Sequence, residues 1–234
     1  MTSEAEPLGD HLQLLPFYLV ADQSGSMDSD IEFLSGGIQG LVDEARSNSL
    51  AYSKIRLTVL GFGSSVTAHL ELADLREVTR MPVLKADEDY TRYDLVFQDL
   101  RVRIERDVDS IKAAGNSSLR PAVFFLTDGK PNPPDQPWRE ALATVRDESF
   151  GRRPNIVAFG IRDADPQILG EIASRPDWAF IARERQAAST ADALRGFIET
   201  FAHTVVSTGT NLASGRAELP ISAPRGFMAL DAID

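Results

Sequence analysis

Short apolar runs alternate along this chain with longer stretches in which apolar residues recur every three or four positions. The short runs are FYLVA (17–21), IRLTVLGF (55–62), AVFFLT (122–127), NIVAFGI (155–161) and WAFIA (178–182). They carry apolar residues at odd and even positions alike, which predicts strands buried on both faces. VTAHLELA (66–73) differs, because Val66, Ala68, Leu70 and Leu72 alternate with Thr67, His69 and Glu71. It predicts a half-wet edge strand, paired in a hairpin with IRLTVLGF through the turn at Gly63, Ser64 and Ser65.

Helical periods lie between these runs. Ile31, Leu34, Ile38, Leu41, Val42 and Ala45 fall on one face of a first helix, and Tyr93, Val96, Phe97, Leu100, Ile104, Val108 and Ile111 on one face of a second. Trp138, Leu142 and Val145 predict a third. Asp165 and Pro166 form an N-cap and first-turn pair for a short fourth helix holding Ile168, Leu169 and Ile172. Leu194, Phe197, Ile198, Phe201 and Val205 align on a last helix opening near Thr190. Beyond it the period is lost, and Gly, Pro and Ser predict a flexible tail over 207–234. Residues 1–11 read as an N-terminal extension and 12–206 as a single domain.

With right-handed crossovers, this order predicts an α/β fold. Its form is a three-layer, doubly wound, mostly parallel six-stranded sheet with one antiparallel edge strand. Such sheets bind ligands beyond the carboxyl ends of their strands, where the winding reverses. The loops that matter therefore follow FYLVA and AVFFLT.

Composition narrows the chemistry. The 234 residues include 24 Lys and Arg against 35 Asp and Glu, a net charge of −11, which argues against nonspecific binding to nucleic acid or anionic lipid. No apolar run approaches the ~20 residues that span a bilayer. The acidic start, MTSEAEPLGD, lacks the features of a secretory signal, so the expectation is a cytoplasmic protein. There is no cysteine, which removes disulfides, thiolate metal sites and Cys nucleophiles. The three histidines, His11, His69 and His203, are too widely spaced to supply an imidazole-rich metal site.

FYLVA runs directly into Asp22, Gln23, Ser24, Gly25 and Ser26, and AVFFLT runs into Asp128. Taken alone, DQSGS reads as a strand-ending turn, a nucleophile elbow or a metal cup. A hydrolase elbow wants Gly-x-Ser-x-Gly, and Asp22 and Ser26 stand where those glycines belong. It also wants a nearby imidazole, whereas His69 falls in the edge strand and His203 in a helix. A phosphotransfer enzyme using Asp22 would want a second acid at position 24. An enzyme is therefore not expected. Two carboxylates and two hydroxyls converging from neighbouring loops make an all-oxygen set that suits a hard cation such as Mg²⁺, with Mn²⁺ or Ca²⁺ as alternatives.

DQSGS also fits the Asp-x-Ser-x-Ser pattern of von Willebrand factor A domains, and FFLTDGKP fits their third metal loop, placing Asp128. YTRYDLVFQDL resembles the family's threonine loop, with Thr91 at the ligand position and Tyr90 where a glycine is usual. The resemblance covers roughly residues 12 to 206. Within the family, LPFYLVADQSGSM, FFLTDGKP and the late AFGI look most like bacterial tellurium-resistance-associated proteins.

The resemblance implies a metal-ion-dependent adhesion site (MIDAS). In it, Ser24, Ser26 and Thr91 hydroxyls contact the ion, Asp22 and Asp128 act directly or through water, and a partner protein supplies an acidic side chain. Gln23, Met27, Tyr90 and Lys130 are the expected partner-binding rim. The tellurium likeness implies a stress-response assembly, with phosphatase or kinase components among the partners. Asp87, Glu88 and Asp89 make the threonine loop more acidic than the family pattern.

Overall fold

A computed structural model of the chain describes residues 11–47, 49–81, 83–134, 137–182 and 189–232. The first half contains β1 (Gln13–Asp22), α1 (Asp28–Ser47), α2 (Ser49–Tyr52), β2 (Ile55–Phe62), β3 (Val66–Ala73) and α3 (Tyr93–Ala113). The second half contains β4 (Ser117–Ser118), β5 (Ala122–Thr127), α4 (Pro137–Arg146), β6 (Asn155–Gly160), α5 (Pro166–Ile172), β7 (Ala179–Ala182), α6 (Thr190–Ala213) and β8 (Phe227–Ala229).

The sheet runs β3-β2-β1-β5-β6-β7-β8, with β4 pairing β1 off this path. Its interior pairs are parallel, and the antiparallel strands β3 and β8 close the two edges. The expected α/β architecture and the antiparallel edge strand 66–73 are both present. Two further strands raise the count above six. β4 has two residues and β8 three, too short for any period to register.

Alternation along β1 builds both cores. Phe17, Leu19 and Ala21 pack with α1 and α6 side chains such as Leu34, Leu41, Leu194 and Phe201. Tyr18 and Val20 pack on the opposite face with Val96, Leu100 and Ile104 of α3 and Trp138 of α4. Burial on both sides explains why the strand reads as a continuous apolar run.

Pro16 is an unusual residue for a central strand, because it has no N–H to donate. Leu15 N–H donates to Lys54 O on the β2 side, so alternation turns the Pro16 nitrogen toward the other neighbour. There β4 pairs only with Gln13 and Leu14, and β5 begins only opposite Phe17. The missing donor falls in the gap between them.

The stretch expected to be a tail is folded against the domain. α6 continues to Ala213, burying Thr208, Gly209 and Leu212, and the chain then returns so that β8 pairs with β7. A helical face completed by threonine and glycine has no apolar signature, which is why the period fades near 206. Residues 1–10 of the expected extension lie outside the described residues. Among the described residues, no helix is long and apolar enough to cross a membrane.

From β1 the chain moves outward through β2 to β3, then crosses back through α3 to β5 on the other side of β1. The winding reverses between β1 and β5, so the loops after Asp22 and Thr127 share one crevice.

Candidate metal centre

Asp22 is the last residue of β1 and is fully buried. Its Oδ2 accepts the Thr127 hydroxyl at 2.6 Å, and its Oδ1 accepts the Ser24 N–H at 2.9 Å. Burial pushes the Asp22 carboxyl up to about 6; the hydrogen bonds from Thr127 and Ser24 oppose the rise, and the nearby Asp128 charge adds to it.

A short 3₁₀ turn, Gly25–Met27, carries the second serine. The Ser24 and Ser26 hydroxyl oxygens are 3.1 Å apart, and Ser26 donates to Asp128 Oδ1 at 2.9 Å. Asp128 follows β5 and is buried, whereas Ser26 is exposed, so the cluster opens to solvent at that serine.

Thr91 is brought close by its backbone. Its carbonyl accepts Asn132 N–H at 3.0 Å from the loop after Asp128, and Arg92 N–H donates to Gly63 O at 3.0 Å in the β2–β3 turn. The Thr91 side chain is buried, and its hydroxyl makes no hydrogen bond among the described residues. The structure thus links Asp22, Ser24, Ser26 and Asp128 through hydrogen bonds, and sets Thr91 beside them through main-chain contacts alone.

Two of the four expected rim residues are not on a rim. Met27 is fully buried in the α1-side core. Gln23 is also buried, its amide donating to Lys85 O at 2.6 Å and its Oε1 lying 3.0 Å from His69 Nε2. The 3₁₀ turn folds Met27 inward, and alternation past Asp22 carries Gln23 under the β2–β3 hairpin. Tyr90 and Lys130 are exposed, with Lys130 Nζ 3.5 Å from Asp165 Oδ2.

The acidic loop is less repulsive than its composition implies. Glu88 pairs through its backbone with Ser24, and its carboxylate accepts Ser64 N–H at 3.0 Å and the Ser65 hydroxyl at 2.9 Å. A Cβ at Gly63 would stand 2.2 Å from Glu88 Cβ, so glycine is required for this close approach.

Four residues contribute that the sequence pattern did not single out. Tyr93, expected only as an apolar helix position, donates from its hydroxyl to Thr127 Oγ1 at 2.9 Å, extending a chain that ends on Asp22. Burial holds the Tyr93 hydroxyl protonated, well above the usual tyrosine range. Arg162, in the loop after β6, lies 3.2 Å from Asp128 Oδ2 and also contacts Asp30 Oδ2 and the Ser26 carbonyl. It adopts a left-handed conformation, φ 51°, sparsely populated for a side chain of this kind. No spacing rule connects Arg162 with Asp30 and the serine loop, which lie 132 and 136 positions away in the sequence.

The donor set can be tested against an ion. Metal–oxygen bonds of about 2.0–2.1 Å in an octahedron place adjacent ligand oxygens about 2.8–3.0 Å apart. The Ser24–Ser26 and Ser26–Asp128 separations of 3.1 and 2.9 Å match that edge. Among the described residues no three His, Asp or Glu side chains gather as a metal site, so any ion here depends on the hydroxyls. Nor does an imidazole reach Ser24 or Ser26 among the described residues: His69 meets Gln23 and His203 meets Ser207.

Several solved structures share this fold at low sequence identity. A proximal thread matrix protein from mussel byssus, described with a zinc-occupied MIDAS motif, is 19% identical with a TM-score of 0.57, over 85% of this chain and 46% of its own. A von Willebrand factor type A protein from Catenulispora acidiphila is 17% identical with a TM-score of 0.51, over 80% of this chain and 42% of its own. This chain has the fold of a von Willebrand factor A-type domain. The pilus adhesin SpaC from Lactobacillus rhamnosus GG shares the A-type fold with a TM-score of 0.63 at 16% identity, over 84% of this chain and 30% of that one. The chain therefore spans less than half the length of these neighbours. No protein-family model matches the sequence, and no curated protein matches it.

Proposed function

We propose that this A-type domain is a divalent-metal-dependent protein-interaction module. The observation that carries the reading is the set of Ser24, Ser26 and Asp128 oxygens at octahedral edge spacing, opening to solvent beside buried Asp22. When bound, a divalent ion, Mg²⁺ foremost, supplies one Lewis-acidic position for a carboxylate oxygen. Ser24, Ser26 and Thr91 would hold it through hydroxyls, with Asp22 and Asp128 direct or through water. Hydroxyl ligands add no charge, so two carboxylates balance the ion without saturating it, and an acidic side chain of a partner completes the set. Thr127 and Tyr93 position Asp22; Tyr90 and Lys130 flank the incoming partner.

The residue likeness noted above extends this proposal to a bacterial tellurium-resistance or stress-response assembly in the cytoplasm. Phosphatase or kinase components are its candidate partners. The adhesin and matrix neighbours support a binding role over catalysis.

Calorimetric titration with Mg²⁺ and Mn²⁺, paired with thermal melting, tests the metal step. The wild type is expected to bind one ion and melt higher in its presence, and Asp22→Ala to do neither. Absence of heat and of any shift in both proteins would leave a metal-free scaffold. A pull-down from native lysate with and without chelator tests the partner step, since a metal-bridged partner is lost on chelation.

A further inference from the structure

At the pole opposite the metal loops, Arg120, Arg146, Arg153 and Arg175 line one cleft of about 370 Å³. Glu148 is the only acid among the described residues that line it, in a chain whose net charge is −11. Asn155 and Ser174 add an amide and a hydroxyl to the wall. The cleft sits where β5 and β6 begin, and β5 spans six residues, so it lies about 20 Å from Asp128.

Part of this charge serves the fold. α4 and α5 end near this pole, and helix carboxyl ends favour cations; Arg146 accordingly donates to the Glu171 carbonyl at the end of α5. Arg175 is held by both oxygens of Asp177, at 2.9 and 2.8 Å. The other two are less committed. Among the described residues the Arg153 side chain reaches only Glu148, at 3.4 Å, whose side chain is 92% exposed. Arg120 has no hydrogen bond or ion pair among the described residues, yet it faces the same cleft. Helix ends and close pairs thus account for two of the arginines and leave Arg120 and Arg153 lining the cleft with no tight partner among the described residues, Arg120 also bordering the neighbouring apolar recess of Leu15 and Leu119.

We propose that this cleft binds a ligand carrying two or more phosphoryl groups. Each guanidinium presents a planar fork that matches two phosphoryl oxygens, and phosphoryl groups bring more charge and more acceptors than a carboxylate. The volume falls in the range of ligand sites and exceeds what one phosphate fills. None of the described lining residues is aromatic, so they offer a nucleobase nothing to stack on, and the phosphoryl groups carry the recognition. That chemistry has two sources, a free di- or triphosphate ion or a protein segment with adjacent phosphorylated side chains.

Isothermal titration of the full chain in metal-free, EDTA-containing buffer distinguishes them. The probes are inorganic pyrophosphate, tripolyphosphate, a peptide with two adjacent phosphoserines, and its unphosphorylated form. Saturable one-to-one binding of at least one phosphoryl probe is expected, with the tighter class identifying the source and the unphosphorylated peptide silent. Arg120→Glu combined with Arg153→Glu is expected to weaken binding at least tenfold while leaving the Mg²⁺ response intact. Arg120→Gln alone, at an exposed position, gives the same direction if the double reversal unfolds. The proposal is overturned if no phosphoryl probe binds saturably, if the unphosphorylated peptide binds equally, or if the arginine substitutions leave binding unchanged.

Discussion

Arg162 places a positive charge in contact with one of the two carboxylates of the candidate metal centre. Its guanidinium touches Asp128, Asp30 and the Ser26 carbonyl, so it braces the loop and competes for Asp128 at the same time. Arg162→Gln separates these effects. The metal-free variant is expected to lose about 2 kcal/mol in urea denaturation, below the 3–5 kcal/mol of a fully buried pair because the guanidinium is partly exposed. Calorimetry should show Mg²⁺ binding tightened about tenfold, since one competing charge is gone. Weakened Mg²⁺ binding would show the brace to outweigh the competition. At this scale Asp22, Ser24, Ser26 and Asp128 could be singled out in the sequence because Asp22 ends one buried strand, the serines lie close behind it, and Asp128 directly follows another. Arg162 and Tyr93 were not, one being a lone charge in a loop and the other a hydroxyl hidden in an apolar stripe.

Among the elements, the return of the chain from α6 to β8 is the feature local pattern conceals most. Its anchor is Phe227, buried and 5.9 Å from the Phe159 ring. Phe227→Ala is expected to cost about 3 kcal/mol, measured as a lower urea midpoint, because a large buried ring leaves a cavity. A flexible tail would register no change. Gly196 permits the crossing, since a Cβ there would stand 2.0 Å from Arg225 O. Gly196→Ala is expected to destabilise by about 1–3 kcal/mol through overpacking, read in the same denaturation. Long helices and full-length strands announced themselves through repeated periods. A three-residue strand has room for none, and Thr208 and Gly209 hide the end of α6 because close packing rewards small residues there.

Across the whole molecule, chemistry is divided between the two ends of the sheet, with carboxylates and hydroxyls beyond the carboxyl ends of β1 and β5 and arginines at the amino ends of β5 and β6. Both cores are built of apolar and aromatic side chains. Chelation is therefore expected to lower the melting midpoint by about 5–10 °C from that at a hundredfold excess over Kd, with near-ultraviolet circular dichroism still native. Loss of the native spectrum on chelation would make the metal a folding requirement. Strand and helix identity, their order and the loop that bears two serines follow from local hydrophobic period and loop chemistry, which act within a few residues. The sealed second edge, the Arg162 brace, the inward turn of Gln23 and Met27 and the gathering of four arginines belong to the folded chain. They depend on contacts between positions far apart in sequence, and no local period encodes which distant side chains will meet.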